Sequence, residues 1–567
     1  MISPRRTLFA APIFALLATL TIPFALSQST NRKIGTELTV TAEPTVPRPN
    51  EKPCVVQLFS KFQFAFFADT DQNFNFTPPS GCPGPWEKVV LELGFSENAG
   101  VQFDRTATLF LANTNLYFGT TPEPLQTGTN TWHVERDVTD YSALFSSAQT
   151  GTMVLQNCTT DCPPPFNTEL NGVFSVSAAL QFYPAHRHDF QPPPETPDVI
   201  LPLEQPNGSG GVSLPAILTS PTAQLTGTFT LPTNVERAYL DVVSQSQSGD
   251  EQWYACFPND QSAINDLFGC GNTDFRETEV SIDGQAAGIA PVSPWVFTGF
   301  IPDQWIPMPA LQTLEFVPYR VNLTPFAALL SDGKPHTVAL SVFDDDNYFS
   351  VAGSLLLFLD KGSKQVTGEL TKNTLTDPSP VESDNLQGTT TVTGTIGITQ
   401  DRDFTIAGFV HTSHGKVETS INQKQRFSST TTIDFNTSTG DPLDQTSALH
   451  NSVSTTTTVS NFLGQLVTVE NFSFPITLDV TFPVSSATFG FTVATNQEYH
   501  TDKEVFLGPF PISFNSTTNK VQSTDVSPAH SSQSYTSFDS TGAFYNCQIA
   551  SKNNVLTSVS RGCTPHP

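Results

Sequence analysis

Residues 89–95 read VVLELGF, and residues 101–113 read VQFDRTATLFLAN. In both stretches apolar and polar side chains largely alternate, the period of a half-buried β-strand. The same texture recurs as RAYLDVV (237–243), TEVSIDG (278–284), HTVALSVF (336–343) and SLLLFLD (354–360). No long helical period interrupts it. Short strands with frequent turns predict antiparallel sandwiches of the jelly-roll type, an all-β fold.

The 567 residues predict three to five domains at about 100–200 residues each. We read 28–53 as a flexible arm, 54–190 as a first jelly roll and 191–370 as a second. The Pro-rich stretch HRHDFQPPPETPDVILPLEQPNGSGG (186–211) separates the two rolls. Residues 371–567 form a third, β-rich region full of Thr and Ser: TTTVTGTIGI (389–398), FSSTTTIDF (427–435), STTTTVSNF (454–462). Such runs suit an O-glycosylated stalk, but Phe, Val and Ile recur at alternate positions, so strands are expected.

Composition limits the partners. Lys and Arg total 26 against 53 Asp and Glu, giving a net charge of −27. That field repels phosphate backbones and excludes nucleic-acid binding. Arg5 and Arg6 precede an apolar run from Leu8 to Leu20, interrupted by Pro12, and small residues follow at Ala25-Leu26-Ser27. This is the pattern of a secretory signal peptide over 1–27, so a secreted protein with no membrane span after signal removal is expected. The eight Cys agree with an oxidising compartment, and their spacing suggests local bridges of Cys158 with Cys162, Cys256 with Cys270 and Cys547 with Cys563, leaving Cys54 and Cys82. Sequons begin at Asn75, Asn157, Asn207, Asn322, Asn436, Asn471 and Asn515.

Motif scanning finds no GxSxG elbow, HExxH or phosphate-binding Gly loop. His186, His188, His411 and His414 lack partners at ligand spacing and read as solvated groups; no metal site is expected. Asp344-Asp345-Asp346 reads as a charged hairpin turn, because the rest of a Ca²⁺ loop is absent. Two carboxylate neighbourhoods stand out. In a regular strand over 101–113, Gln102, Asp104, Thr106 and Thr108 share a polar face. Val101, Phe103, Ala107, Leu109 and Leu111 share the apolar one, with Arg105 beside them unless a strand end re-aims it. In SGDEQWYACF (248–257), Glu251 and Trp253 share a face of an extended chain, a carboxylate beside a flat apolar platform for a sugar ring.

CPGPWEKVVLEL (82–93), GVQFDRTATLFLANTNLYFGTTPEP (100–124) and GTNTWHVERDVTDY (128–141) together resemble the peptide N-glycosidase A family of plants and fungi. So do GDEQWY (249–254), FRETEVSIDG (275–284), GFIPDQWIPM (299–308), LTPFAALLSDGKPHTVALSV (323–342) and AGSLLLFLD (352–360). The likeness covers about Cys54 to Leu370. A more distant one, to bacterial peptide N-glycosidase F, rests on Phe103-Asp104-Arg105 and on LPTNVERAYL (231–240). The resemblance implies two packed jelly rolls with a site between them, and a hydrolase that splits the amide joining Asn to the innermost GlcNAc of an N-linked glycopeptide or glycoprotein. It implies no cofactor. By carry-over Asp104 is the principal catalytic carboxylate, Arg105 orients it and Glu251 is the second acid/base group. Trp253, Trp305, Asp250 and Asn157 line the substrate. The bacterial enzyme's third acid falls here near Gln156 or Asn157, where no carboxylate stands, so either an amide suffices there or Glu123 of TTPEP (120–124) fills the gap.

The amidase reading expects Asp104 and Glu251 to converge, roughly 5–9 Å apart as in other two-carboxylate sites. The alternatives are a non-catalytic glycan-binding protein, with an aromatic groove lacking paired acids, and a cell-wall-associated β-sandwich protein with no groove. An acidic working pH and internal cleavage into two associated chains are further expectations.

Overall fold

The computed structural model describes residues 32–125, 128–185, 194–203, 214–265, 269, 271–298, 305–388, 390–436, 441–481, 492–526 and 528–563. The expected signal segment, His186, His188, Asn207 and Cys270 lie outside them.

The first eight strands are β1 (Cys54–Phe64), β2 (Asp71–Phe76), β3 (Trp86–Glu97), β4 (Thr106–Leu111), β5 (Thr114–Thr120), β6 (Asn130–Asp137), β7 (Gln149–Leu155) and β8 (Phe174–Pro184). They form two antiparallel sheets, β1-β8-β3-β6 and β2-β7-β4-β5, the strand order of a jelly roll. Alternation drives the closure. Val89, Leu91, Leu93 and Phe95 of β3 join Leu109 and Leu111 of β4 in one core.

Nine strands follow: β9 (Val199–Pro202), β10 (Ala216–Leu218), β11 (Leu225–Thr230), β12 (Val235–Ser246), β13 (Glu277–Ile282), β14 (Gln285–Pro291), β15 (Tyr319–Asn322), β16 (Pro335–Val342) and β17 (Phe349–Leu359). Their sheets run β10-β17-β12-β15 and β11-β16-β13-β14, with β9 added beside β17. Adding nine to each label of the first roll reproduces this order, so the chain builds one topology twice.

The rolls join by mixed contacts. Ile200 and Leu356 of the second roll bury in the core of the first. Tyr141 donates to Asp241 at 2.8 Å, and Arg320 grips Asp241 at 2.7 Å and Asp140 at 2.6 Å.

The Thr/Ser-rich region is a single antiparallel sheet, not a stalk. Eleven strands lie between Thr367 and Val559 in almost strict sequence order. The longest, β20 (Thr391–Thr412) and β21 (Gly415–Asn436), reach about 70 Å at the usual rise per residue. Along β20 one face buries Val392, Ile396, Ile398, Phe404 and Ile406, and Thr on alternate positions faces solvent or the sheet rim. Several of these residues join the core of the second roll, and Arg402 forms a buried ion pair with Glu277 there.

The arm expected to be flexible is a packed strap over its described residues. Val40 and Ala42 are buried, Ala42 N–H donates to Gln533 Oε1 at 2.7 Å, and Arg48 pairs with Glu92 and Glu135 at 2.9 Å. Its apolar residues seat against the last strands of the long sheet, an anchorage too remote in sequence to read from the arm itself.

Candidate active site

Asp104 lies in the connection from β3 to β4, and the regular-strand reading of that segment does not hold. The strand begins only at Thr106. Ahead of it Gln102 is buried, while Val101 is 56% and Phe103 43% exposed, the reverse of the expected parity. Side chains replace the missing strand pairing. Gln102 Nε2 donates to the Cys158 carbonyl at 2.9 Å, and Arg105 Nη2 donates to Gln102 Oε1 at 2.6 Å. Arg105 N–H donates to Thr121 Oγ1 at 2.9 Å. The strand end therefore re-aims Arg105, whose guanidinium lies 5.7 Å from the centre of the Phe103 ring. Phe103 and Phe166 meet edge-on at 5.5 Å and both remain exposed.

Glu251 lies in the connection from β12 to β13, between two buried anchors. Asp250, fully buried, accepts backbone N–H groups from Asn347 at 2.6 Å and Tyr348 at 2.8 Å, and pairs with buried Arg276 at 3.3 Å. Trp253, also fully buried, sits in the hydrophobic core. The half-buried Glu251 between them has little freedom. The long sheet adds a brace, because Gln445 Nε2 donates to the Ala255 carbonyl at 2.7 Å.

The two connections meet because β4 abuts β12. Gln247 Nε2 donates to Thr106 Oγ1 at 2.7 Å, and Thr106 Oγ1 lies 3.1 Å from Gln245 Oε1. The acids feel each other. Burial, and after it the charge of Asp104, push Glu251 up to about 7. Burial raises Asp104 to about 6 against the pull of Arg105. A third acid stands beneath them. Glu97, the last residue of β3, is 1% exposed, and burial together with the charge of Glu123 lifts it to about 10, opposed by Arg105. Glu97 is therefore neutral at physiological pH and leaves the Arg105 charge to Asp104. Two carboxyl groups of staggered affinity beside a guanidinium can hold one proton and release another, the requirement for general acid–base work on an amide.

The family described as Peptide N-acetyl-beta-D-glucosaminyl asparaginase amidase A matches residues 44–376. The chain belongs to that family. A relative from Prunus dulcis, named Peptide-N4-(N-acetyl-beta-glucosaminyl)asparagine amidase A, is 31% identical over 385 residues. That match covers 65% of this chain and 65% of the relative, just under two thirds of its length. Among solved structures, two crystal forms of PNGF-II align at 12% identity and a TM-score of 0.36. They cover 54% of this chain and 66% and 65% of theirs, a likeness too slight to bear on fold or function.

For this member of the amidase A family, the structure brings Asp104, Arg105 and Glu251 together, with Glu123 close enough to act on Glu97. Four other expected substrate contacts are displaced. Trp253 and Trp305 are 0% and 3% exposed, so neither indole offers a shelf to a sugar. A residue two positions from Glu251 shares its face only in extended chain, and here the chain is a tight 3₁₀ turn. Asp250 serves as a backbone anchor. Asn157 is 1% exposed, and its Nδ2 donates to the Phe64 carbonyl at 2.9 Å and the Gly172 carbonyl at 3.0 Å. It is neither a substrate contact nor a glycan carrier, because its attachment atom is enclosed.

Glu97 was missed, although its signal was present. It continues the inward series Val89, Leu91, Leu93, Phe95, and a carboxylate at core parity is a flag. Phe103 and Phe166 were missed as an exposed aromatic pair because regular alternation hid the first. The triple Asp344–Asp346 forms the turn between β16 and β17, as expected; Asp346 is exposed, whereas Asp344 and Asp345 are buried, and Asp344 Oδ2 accepts from Thr273 Oγ1 at 2.7 Å. Bridges join Cys54–Cys82, Cys158–Cys162 and Cys547–Cys563, and Cys256 is disulfide-bonded. Glu92, His133 and Glu135 have metal-like spacing, yet Arg48 fills the cation position between the two carboxylates. Glu236, Asp360 and His414 also cluster, with Asp360 Oδ1 accepting from Ser413 Oγ at 2.6 Å and Gly362 N–H at 2.9 Å.

Proposed function

We propose that this protein hydrolyses the amide between an Asn side chain and the innermost GlcNAc of an N-glycan. Water adds to the carboxamide carbon, the C–N bond breaks, and the leaving nitrogen takes a proton. The peptide keeps Asp and the sugar departs as a glycosylamine. The observation that carries this reading is the convergence of Asp104 and Glu251 from two different jelly rolls.

Asp104, the lower of the two affinities, is the anion that takes the proton of water. Glu251, the higher, holds the proton delivered to nitrogen. Arg105 orients Asp104 and donates to the oxyanion that forms on the carbonyl oxygen. Phe103 and Phe166 offer the apolar surface on which the chitobiose rings rest. Membership of the amidase A family and the name of the Prunus dulcis relative support the same chemistry.

Secretion belongs to this proposal, supported by the signal-like N-terminus and the disulfides. So does an internally cleaved two-chain form, which strand pairing in the long sheet would hold together. Denaturing electrophoresis of secreted material under reducing conditions tests it. The central experiment incubates purified protein with a defined N-glycopeptide and weighs the products. Asp in place of Asn on a sugar-free peptide is the expected result. One GlcNAc left on the peptide would mean an endoglycosidase, and unchanged peptide with bound glycan would mean a binding protein.

A further inference from the structure

We propose that Asn322 carries an N-glycan whose inner sugars pack on a surface made by Tyr239, Phe358 and Arg237. The inference rests on the secretory route proposed above and is independent of the amidase reading. Asn322 heads the sequon Asn322-Leu323-Thr324 and ends β15, the edge strand of its sheet.

Register fixes what lies beside it. Asn322 stands opposite Tyr239 on β12, and Arg320 opposite Asp241. On the far side of β12, Phe358 of β17 stands opposite Arg237. Directly paired residues present their side chains to the same face. Asn322, Tyr239, Arg237 and Phe358 therefore share one face. The guanidinium of Arg237 lies 4.1 Å over the Phe358 ring, and the Tyr239 ring meets Phe358 edge-on at 5.8 Å. All four residues are half-buried and line an open cleft of about 960 Å³.

The attachment atom is prepared. Asn322 Oδ1 accepts the Thr324 N–H at 3.0 Å, whereas Nδ2 makes no hydrogen bond among the described residues. At Asn157 the same atom is bonded inward twice. A GlcNAc ring has an apolar C–H face and polar edges. Tyr239 and the Phe358 edge complement the first, and Arg237, stacked on Phe358 and paired with Glu195, the second. Because the sugar is tethered, its packing costs no association entropy, so weak contacts suffice to order it. A bulky group on Asn322 would also cover an unpaired sheet edge.

The test uses the full chain secreted from a glycosylating eukaryotic host, with Asp104→Asn so that any self-deglycosylation is silent. Peptide mass mapping reads each sequon before and after the folded protein meets an endoglycosidase that cuts between the two GlcNAc residues. Asn322 should be occupied and should lose its glycan at least about tenfold more slowly than exposed Asn75 or Asn515, the ratio given by about 1.4 kcal/mol of packing. Denaturation should abolish the difference. Phe358→Ser, and the milder Arg237→Ala, should leave Asn322 occupied but speed release. Bare Asn322 beside an occupied Asn75 would overturn the proposal. So would release at the Asn515 rate, or protection that survives both variants. Absence of glycan at every sequon would overturn it together with the secretory route and leave the amidase reading untouched.

Discussion

The two jelly rolls share one strand order, and each places one of the paired acids in the same connection. In the first roll that connection is residues 98–105, between β3 and β4; in the second it is 247–276, between β12 and β13. The short one is stapled within its own roll, through Gln102, Arg105 and the Cys158–Cys162 bridge. The long one is braced internally by Arg276 and held from afar by backbone of the 346–348 turn and by Gln445 of the third region. A long excursion from a sandwich loses its own strand pairing and must borrow rigidity elsewhere. The long sheet is thus part of how Glu251 is aimed.

Substituting the two acids tests that equivalence most severely. Asp104→Asn and Glu251→Gln should each lower kcat by about 10²–10⁴-fold with unchanged melting temperature, and the double variant should fall little further. An additive double variant would mean that the acids act separately. The anchors come next. Asp250→Ala removes a buried charge partner of Arg276 and the acceptor of the 347–348 backbone N–H groups, and should cost about 3–5 kcal/mol in denaturant unfolding, with kcat reduced as well. Gln102→Ala, its counterpart in the first roll, should cost only about 1–3 kcal/mol. Equal losses would erase the contrast between local and remote support. Phe103→Ala should raise KM about tenfold and leave kcat alone, the signature of a lost sugar platform. A change in kcat instead would assign the ring to positioning Arg105.

Proton linkage gives the smallest effects. The profile of kcat/KM should be bell-shaped, rising near pH 6 and falling near pH 7, as values of the coupled pair. An optimum above pH 8 would refute the role of the pair. Burial also raises Asp274 and Glu315 to about 7, against unfolded values near 4. Raised carboxyls contribute stability that is full below the unfolded value and lost as pH rises through the folded one. The melting temperature should therefore drop by several degrees between pH 5 and pH 8, at about 2–4 °C per kcal/mol for a large domain. A flat profile would show that these acids are hydrated.

Much of the architecture was legible because alternation is local. Val89 to Phe95 announced a strand, and Ile396, Ile398 and Phe404 turned a Thr-rich run into a sheet with one buried face. The duplicated topology was not readable, since pairing between β3 and β8 depends on register across intervening turns. At the site, Asp104, Arg105 and Glu251 were reached through motifs. Asp250 and Trp253 were given the wrong task because their partners, Asn347 and the second core, are remote in sequence. The inward parity of Glu97 was in plain view, and weighing core parity before motif would have found it.

The strap has a consequence for biosynthesis. Arg32 donates to the carbonyl of Cys563 at 2.6 Å, and Gly35 N–H to that of Leu556 at 2.8 Å. A chain that emerges N-terminus first can assemble the first sandwich early, yet this clasp waits until the hairpin of residues 544–559 has emerged. A product lacking that hairpin would leave Val40 and Ala42 without the apolar partners that bury them.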